Sequence, residues 1–86
     1  MKQLWYFSAD WCGPCKQLKS NTLKDRGVLA RLNKCNWYIL DVDKEKSIAK
    51  RYGITGMPTT KVLKGDKAVK SKTGYMSPRE MISFLP

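Results

Sequence analysis

The sequence Cys12-Gly13-Pro14-Cys15 places two thiols three positions apart, between a strongly apolar segment and a segment with helical character. Cysteines at this spacing can form a disulfide and reopen it with little change in the backbone. Pro14 suits the first turn of a helix, because its missing N–H would have no partner there. We therefore expect the pair to lie at the start of a helix that directly follows a strand.

The two thiols are expected to play different roles. Cys12 lies just before the helix, where unpaired N–H groups and the helix dipole favour a thiolate, and Lys16 adds positive charge one turn later. Cys15 lies within the first turn and is expected to face the core, protonated until it is needed. Cys12 is therefore predicted to attack a disulfide and Cys15 to resolve the mixed disulfide. Gly13 allows a partner to approach closely, and Pro14 stiffens the loop.

Other uses of the pair fit the composition less well. A structural zinc site needs four Cys or His ligands, whereas this chain has no His and three Cys. A structural disulfide across so short a loop would constrain the unfolded chain very little. Cys35 is interpreted as a buried or partly buried apolar residue at a strand entrance, with a regulatory thiol as the alternative. No metal or other cofactor is expected.

The hydrophobic pattern predicts a single domain, residues 1–86, of alternating strands and helices. The predicted strands are 2–8 and 36–42, both buried, and a hairpin of 59–63 and 68–72. The predicted helices are one broken helix or two in succession between 14 and 33, a short helix at 43–52 that Gly53 stops, and a last helix that Ser77 and Glu80 open as a capping box. Because a helical segment separates the first two strands, they are expected to be parallel. The fold class is therefore α/β, a mixed sheet with helices on both faces.

The chain is strongly basic, with 17 Lys and Arg against 7 Asp and Glu and a formal net charge of +10. Lysines are most frequent around the hairpin, at Lys61, Lys64, Lys67, Lys70 and Lys72. Such a field attracts acidic partners and, weakly, nucleic acid, although a solvated basic surface is the simpler interpretation. Nucleic-acid binding is not expected, because aromatic residues do not alternate with the hairpin lysines.

The expected location is the cytoplasm. If the protein is encoded by a phage, this is the cytoplasm of the phage's host cell. The apolar run at residues 4–7 is too short for the core of a signal peptide. No long apolar run could cross a membrane, so no membrane contact is expected. In a reducing compartment, a CxxC pair is more often catalytic than structural.

Three blocks of the sequence, in the right order, resemble the thioredoxin family. They are Trp11-Cys12-Gly13-Pro14-Cys15-Lys16, then Tyr52-Gly53-Ile54-Thr55-Gly56-Met57-Pro58-Thr59, and finally Gly74 after the hairpin. The resemblance covers essentially the whole chain and implies the thioredoxin fold. Because full-length thioredoxins begin with an extra strand and helix, we expect a four-stranded sheet here, ordered second, first, third, fourth.

The resemblance also implies a surface that recognises the target. Pro58 matches the family's cis-proline, which lies against the dithiol, and the backbone of Met57 is then expected to pair with an extended target segment. The residues expected to form the apolar contact surface around Cys12 are Trp11, Gly13, Pro14, Met57 and Gly74.

The chain departs from the family at several positions. The buried acid beneath the family's dithiol falls at Tyr6, and its lysine partner falls at Ile39. Because Tyr6 is a poor base near neutral pH, we expect Cys15 to be deprotonated by water, by Asp10 or by the departing thiolate. Lys61 lies in a strand that the family makes apolar. The segment from 20 to 33 is more similar to disulfide-interchange domains, which leaves the subfamily open.

The function that the resemblance implies is protein-disulfide reduction by a monomeric dithiol electron carrier. The expected electron donor is an NADPH-dependent thioredoxin reductase, and the expected targets are disulfide-containing proteins such as ribonucleotide reductase. One alternative is a glutathione-dependent, glutaredoxin-like reductase, although glutaredoxins usually carry Pro-Tyr between the cysteines. Another is a redox-independent subunit of a larger complex.

Overall fold

A computed structural model of the chain describes residues 2–86. The elements in chain order are β1 (Lys2–Ser8), α1 (Gly13–Ser20), α2 (Arg26–Leu32), β2 (Asn36–Asp41), α3 (Lys46–Arg51), β3 (Thr59–Lys64), β4 (Lys67–Thr73) and α4 (Pro78–Phe84). A short 3₁₀ turn, Thr22–Lys24, separates α1 from α2. Within these residues, no helix combines the length and the apolar character that crossing a bilayer requires.

The strands form one mixed sheet in the order β2-β1-β3-β4. β1 runs parallel to β2 and antiparallel to β3, and β4 is antiparallel to β3. The helical crossover between β1 and β2 explains their parallel pairing, because a tight turn cannot connect parallel neighbours. The predicted fold class and strand order are confirmed.

One face of the sheet carries the main apolar core. Leu4 and Tyr6 of β1 and Val62 of β3 lie fully or almost fully buried on this face. The helical residues that pack against them are Leu18, Val28, Leu32, Met81 and Leu85. Burying a side chain of this size contributes about 1.5–3 kcal/mol, so α1, α2 and α4 are held on this face mainly by apolar packing.

The opposite face is covered less completely. Phe7 and Leu63 are buried there, and the ring of Tyr52, which follows α3, packs edge-on against Trp5 with 5.3 Å between ring centroids. On β2, Tyr38 of this face and Ile39, which lies on the main-core face beside Tyr6, remain 48% and 46% exposed. The prediction of a buried second strand is therefore wrong, because β2 lies at the edge of the sheet, where its side chains lack neighbours on one side.

The helix predicted at 43–52 is shorter and begins later, at Lys46. After β2, the side chain of Asp41 accepts a hydrogen bond from the Asp43 N–H at 2.8 Å. The Asp41 carbonyl also accepts one from the Glu45 N–H at 2.8 Å, which closes a turn before the helix. The predicted stop is confirmed, since Gly53 has a φ of 65°, a conformation that glycine adopts without strain.

The hairpin is present, with strands longer than predicted. Lys64 pairs with Lys67, so the turn contains Gly65 and Asp66 alone. Gly65 has a φ of 66°, as the first central residue of a type II′ turn requires. The sequence analysis placed four residues, 64–67, in the loop, because the lysines at both ends of the turn are not typical of strands.

Side-chain caps fix where two helices begin. The Asp25 carboxylate accepts a hydrogen bond from the Val28 N–H at 3.1 Å and so starts α2, which confirms the predicted break after α1. At α4, the Ser77 hydroxyl accepts from the Glu80 N–H at 3.2 Å, and the Glu80 carboxylate accepts from the Ser77 N–H at 3.0 Å. These reciprocal bonds are the predicted capping box.

Removing the Ser77 hydroxyl is expected to destabilise the protein by about 1 kcal/mol, because one N–H at the start of α4 loses its acceptor. The measurement is urea unfolding of Ser77→Ala. Ser83→Ala, at an exposed position of the same helix, is the matched control and should change the free energy of unfolding by less than about 0.5 kcal/mol. Equal losses in the two variants would contradict a role for the cap.

Candidate active site

The cysteine pair lies where strand β1 gives way to helix α1. Cys12 is the N-cap residue of α1, and its Sγ accepts a hydrogen bond from the Cys15 N–H at 3.2 Å. Pro14 occupies the first turn, as predicted. Cys12 and Cys15 are joined by a disulfide, with their Cα atoms 5.2 Å apart. One sulfur therefore lies at a helix N-terminus, where N–H groups stabilise negative charge.

The surroundings of the disulfide are asymmetric. Cys15 is buried beneath the first turn of α1, and the disulfide packs against Ala9, with Val42 and Met57 alongside. Cys12 is 5% exposed in this oxidised form, less than the prediction of an accessible nucleophile implies. The neighbouring residues Gly13 and Pro14 are exposed. The exposed turn therefore offers a partner one route to Cys12.

The second predicted motif lies beside the disulfide. The Met57–Pro58 peptide bond is cis, and Pro58 is buried. Met57 packs against the disulfide cluster and is half-buried. The Gly74 N–H donates to the Pro58 carbonyl at 2.7 Å, with Gly74 at a φ of 109°. The structure thus brings Met57 to the dithiol and holds Gly74 against Pro58, the next residue along the chain.

Trp11 is held in place by a residue that the sequence analysis did not single out. Its indole Nε1–H donates to Asp43 Oδ2 at 2.9 Å, while the side chain is 67% exposed. Asp43 comes directly after β2, and Trp11 comes shortly after β1. Because the carboxyl ends of parallel neighbours meet at one edge of a sheet, this strand order could have identified the contact.

Tyr6 occupies the position beneath the dithiol where the family carries its buried acid. It is fully buried, and its hydroxyl donates to the Cys15 carbonyl at 2.8 Å. Burial raises the pKa of Tyr6 well above its usual range, so the hydroxyl stays protonated at neutral pH. Tyr6 is a structural donor and not a base. Ile39 lies directly opposite Tyr6 in the β1–β2 ladder, so the two departures from the family are neighbours.

The two charged residues predicted to influence the dithiol are both exposed. Asp10 lies in the turn before Cys12, and Lys16 is on the outer side of α1. Within the described residues, neither side chain forms an ion pair. Any effect of their charges on Cys12 and Cys15 is therefore screened by solvent.

Cys35 lies apart from the dithiol. It directly precedes β2, is partly buried against the main core, and donates a weak hydrogen bond from Sγ to the Leu32 carbonyl at 3.5 Å. Burial raises the pKa of this thiol, which makes it less reactive. The predicted partly buried residue at a strand entrance is confirmed. Among residues 2–86, no three metal-ligating side chains lie together.

Comparisons with known proteins agree with this geometry. The family model for thioredoxin matches residues 2–86. A thioredoxin of Chlorobaculum thiosulfatiphilum is 34% identical over 83 residues, which cover 90% of this chain and 68% of that protein. A protein disulfide isomerase-like 2-2 of Oryza sativa subsp. japonica is 35% identical over 80 residues, 92% of this chain and 22% of that one. Among solved structures, a mutant thioredoxin from Halobacterium salinarum has a TM-score of 0.82 at 27% identity, covering 98% of this chain and 71% of that chain.

Replacing Tyr6 with Phe is expected to lower the free energy of unfolding by about 1 kcal/mol through loss of the hydrogen bond to Cys15. The folded protein holds the Tyr6 proton more tightly than the unfolded chain does, so this stabilisation is present below pH about 10 and is lost as the pH rises further. Urea unfolding of wild type and Tyr6→Phe at pH 7 and pH 11 measures both effects.

The same variant tests the chemistry. Because Tyr6 keeps its proton at neutral pH, disulfide reduction by Tyr6→Phe should follow the wild-type pH profile between pH 6 and 9. Tyr6→Asp, which adds a buried carboxyl group, is the contrasting variant and should alter that profile. An altered profile for Tyr6→Phe, or an unaltered one for Tyr6→Asp, would contradict this assignment.

Proposed function

The chain belongs to the thioredoxin family and is a thiol–disulfide oxidoreductase; from that premise, we propose that it reduces protein disulfides, with Cys12 as the nucleophile and Cys15 as the resolving thiol. The observation that carries the proposal is the disulfide at the N-cap of α1, with one sulfur beside an exposed turn and the other buried beneath it. This asymmetry gives each sulfur a distinct task.

In the first step, the reduced protein attacks its target. The Cys12 thiolate attacks one sulfur of the target disulfide, the target S–S bond breaks, and a mixed disulfide forms between Cys12 and the target. The second target sulfur leaves as a thiolate and takes a proton from solvent. The N–H of Cys15, which donates to Cys12 Sγ in the oxidised form, is placed to stabilise the attacking anion.

In the second step, the buried thiol completes the transfer. Cys15 loses its proton and attacks Cys12 Sγ, which breaks the mixed disulfide and releases the second target thiolate. The target has then gained two electrons and two protons, and the protein carries the Cys12–Cys15 disulfide. The proton of Cys15 goes to water, to Asp10 or to the departing thiolate, because Tyr6 remains protonated throughout.

Target recognition is assigned to the apolar surface around Cys12. The exposed turn at Gly13 and Pro14, the exposed ring of Trp11 and the half-buried Met57 and Gly74 would face the target. The backbone of Met57 would pair with an extended target segment as an added strand, which aligns the target disulfide with Cys12. The hydrogen bond from Trp11 to Asp43 restrains the exposed indole ring.

The wider cycle is proposed by analogy with the family. The reduced dithiol is regenerated by an NADPH-dependent thioredoxin reductase, and ribonucleotide reductase is one target in this proposal. The protein acts as a cytoplasmic electron carrier, monomeric and without a bound cofactor. Insulin reduction with thioredoxin reductase and NADPH, compared with glutathione and its reductase, tests the choice of donor. Activity with glutathione alone would assign the protein to the glutaredoxin-like alternative.

The variant Cys15→Ser is expected to accumulate a covalent adduct with its target, because nothing then resolves the mixed disulfide at Cys12. The readout is mass spectrometry of the reaction with a disulfide-bonded substrate under non-reducing conditions. Cys12→Ser should form no adduct and should lose at least about a thousandfold in reduction rate, since the attacking thiolate is gone.

Cys35→Ser is the matched control, because it removes the thiol that lies apart from the dithiol. It should keep wild-type turnover and form no lasting adduct. An adduct attached to Cys35 in the Cys15→Ser protein, or turnover by Cys12→Ser close to wild type, would disprove the assigned roles.

A further inference from the structure

A basic groove lies between strand β4 and helix α4, away from the dithiol. It encloses about 520 Å³, and its walls carry the cationic side chains of Lys70, Lys72 and Arg79. Phe84, which is partly exposed, adds apolar surface to the same groove. Its lining therefore suits a chain that carries several negative charges and some apolar surface, such as an acidic peptide.

The charge around the groove is one-sided. Residues 46–86 contain nine Lys and Arg but two acids, Asp66 and Glu80. Glu80 also lines the groove, where hydrogen bonds from Ser77 and, to a smaller extent, the positive charge of Lys72 lower the pKa of its carboxyl group. Asp66 pairs with Arg51 at 3.6 Å, at the far end of the hairpin. The three cations of the groove thus face one carboxylate, and the lining keeps a net positive charge.

One of these cations is already fixed in position. Lys70 Nζ donates to the Phe84 carbonyl at 3.0 Å and lies 5.6 Å from the centroid of the Phe84 ring. An ammonium group has three donors, so two remain for an incoming carboxylate. Because its side chain is held against α4, Lys70 loses less conformational freedom on binding than an unrestrained lysine does.

Strand β4 offers a backbone edge beside the groove. It is an outer strand of the sheet, pairing with β3 alone among the described strands, and all seven of its residues are exposed. Exposed edges of this kind accept an added strand, and lysines on them repel other basic strands. The lysines of β4 would therefore admit an acidic extended segment while discouraging association with copies of this chain.

The C-terminal end of strand β4 leads from the groove towards the proposed target surface. β4 ends at Thr73, and the next residue, Gly74, donates its N–H to the Pro58 carbonyl. Met57, on the other side of Pro58, packs against the disulfide. A segment that follows β4 towards its C-terminal end therefore arrives at the surface from which Cys12 is approached.

We propose that the β4–α4 groove docks an acidic extended segment of the substrate protein, close in sequence to the disulfide that Cys12 attacks. The substrate class is thus proteins whose reducible disulfide is flanked by a run of Asp or Glu. This proposal rests on the proposed function. Docking raises the local concentration of the target disulfide at the dithiol, so it acts on KM more than on kcat.

The test compares disulfide-bonded peptides that carry a flanking run of either four Glu or four Gln. Each run is placed before the disulfide in one peptide and after it in another. At low salt, wild type should reduce one of the two Glu peptides with a kcat/KM about tenfold above that of the Gln peptide with the flank on the same side. A difference of this size corresponds to a few exposed ion pairs. The preference should fall towards onefold at 0.5 M NaCl, where screening is strong.

The groove variant combines Lys72→Glu with Arg79→Glu, which leaves the structural contact of Lys70 intact. Its preference for the Glu peptide should disappear, mainly through KM. The control combines Lys46→Glu with Lys50→Glu on α3, exposed positions with the same change in net charge, and should keep most of the preference. Both variants should reduce bis(2-hydroxyethyl) disulfide, a small uncharged substrate, at the wild-type rate.

Other outcomes would contradict the proposal, and they would point to different explanations. Equal reduction of the Glu and Gln peptides by wild type, or a preference that survives in the groove variant, would exclude docking in the groove. An equal loss in both variants would assign the preference to net charge. Tighter binding of an oligothymidine than of the Glu peptide at 0.15 M NaCl would assign the groove to nucleic acid. If wild type fails to reduce even the small disulfide, the proposed function itself is wrong.

Discussion

A hydrogen bond from the buried hydroxyl of Tyr6 to the Cys15 carbonyl ties the central strand of the sheet to the first turn of α1. The position of the dithiol depends on this connection and on the apolar packing of Leu18 above the same sheet face. In relatives with an acid at this position, burial of a carboxyl group has to be compensated. Tyr6 fills the same space with a group that stays neutral, so the site gains a rigid support and gives up a proton acceptor.

Much of the fold could be predicted from local chemistry. The Lys2–Ser8 strand, the break at Asp25, the stop at Gly53 and the capping box at Ser77 each depend on side chains and neighbours within a few residues. The dithiol could also be identified from its short motif, because its chemistry requires two thiols at that spacing. The cis proline could be expected only from the resemblance to the thioredoxin family. Interactions of this kind depend only on residues that are close in sequence, so the sequence alone is enough to predict them.

The features that were missed depend on neighbours distant in sequence. Tyr38 and Ile39 have the pattern of a buried strand, yet strand order places them at an edge. Asp43 was taken for a helix residue, whereas it holds Trp11 across 32 positions of chain. Lys70 and Lys72 of the hairpin and Arg79 of α4 lie apart in the sequence, and only the packing of α4 beside β4 brings them into one groove. Tertiary context decided each case.

The two outer strands of the sheet differ in a way that bears on how copies of the molecule meet. β4 presents lysines along its length, whereas residues 36–40 of β2 carry no charged side chain, and two of its large apolar groups face solvent. At low ionic strength the net charge of +10 keeps copies apart. Dissolved salt weakens that repulsion without altering the apolar surface, so concentrated solutions should become less colloidally stable as salt is added, with self-association beginning along β2.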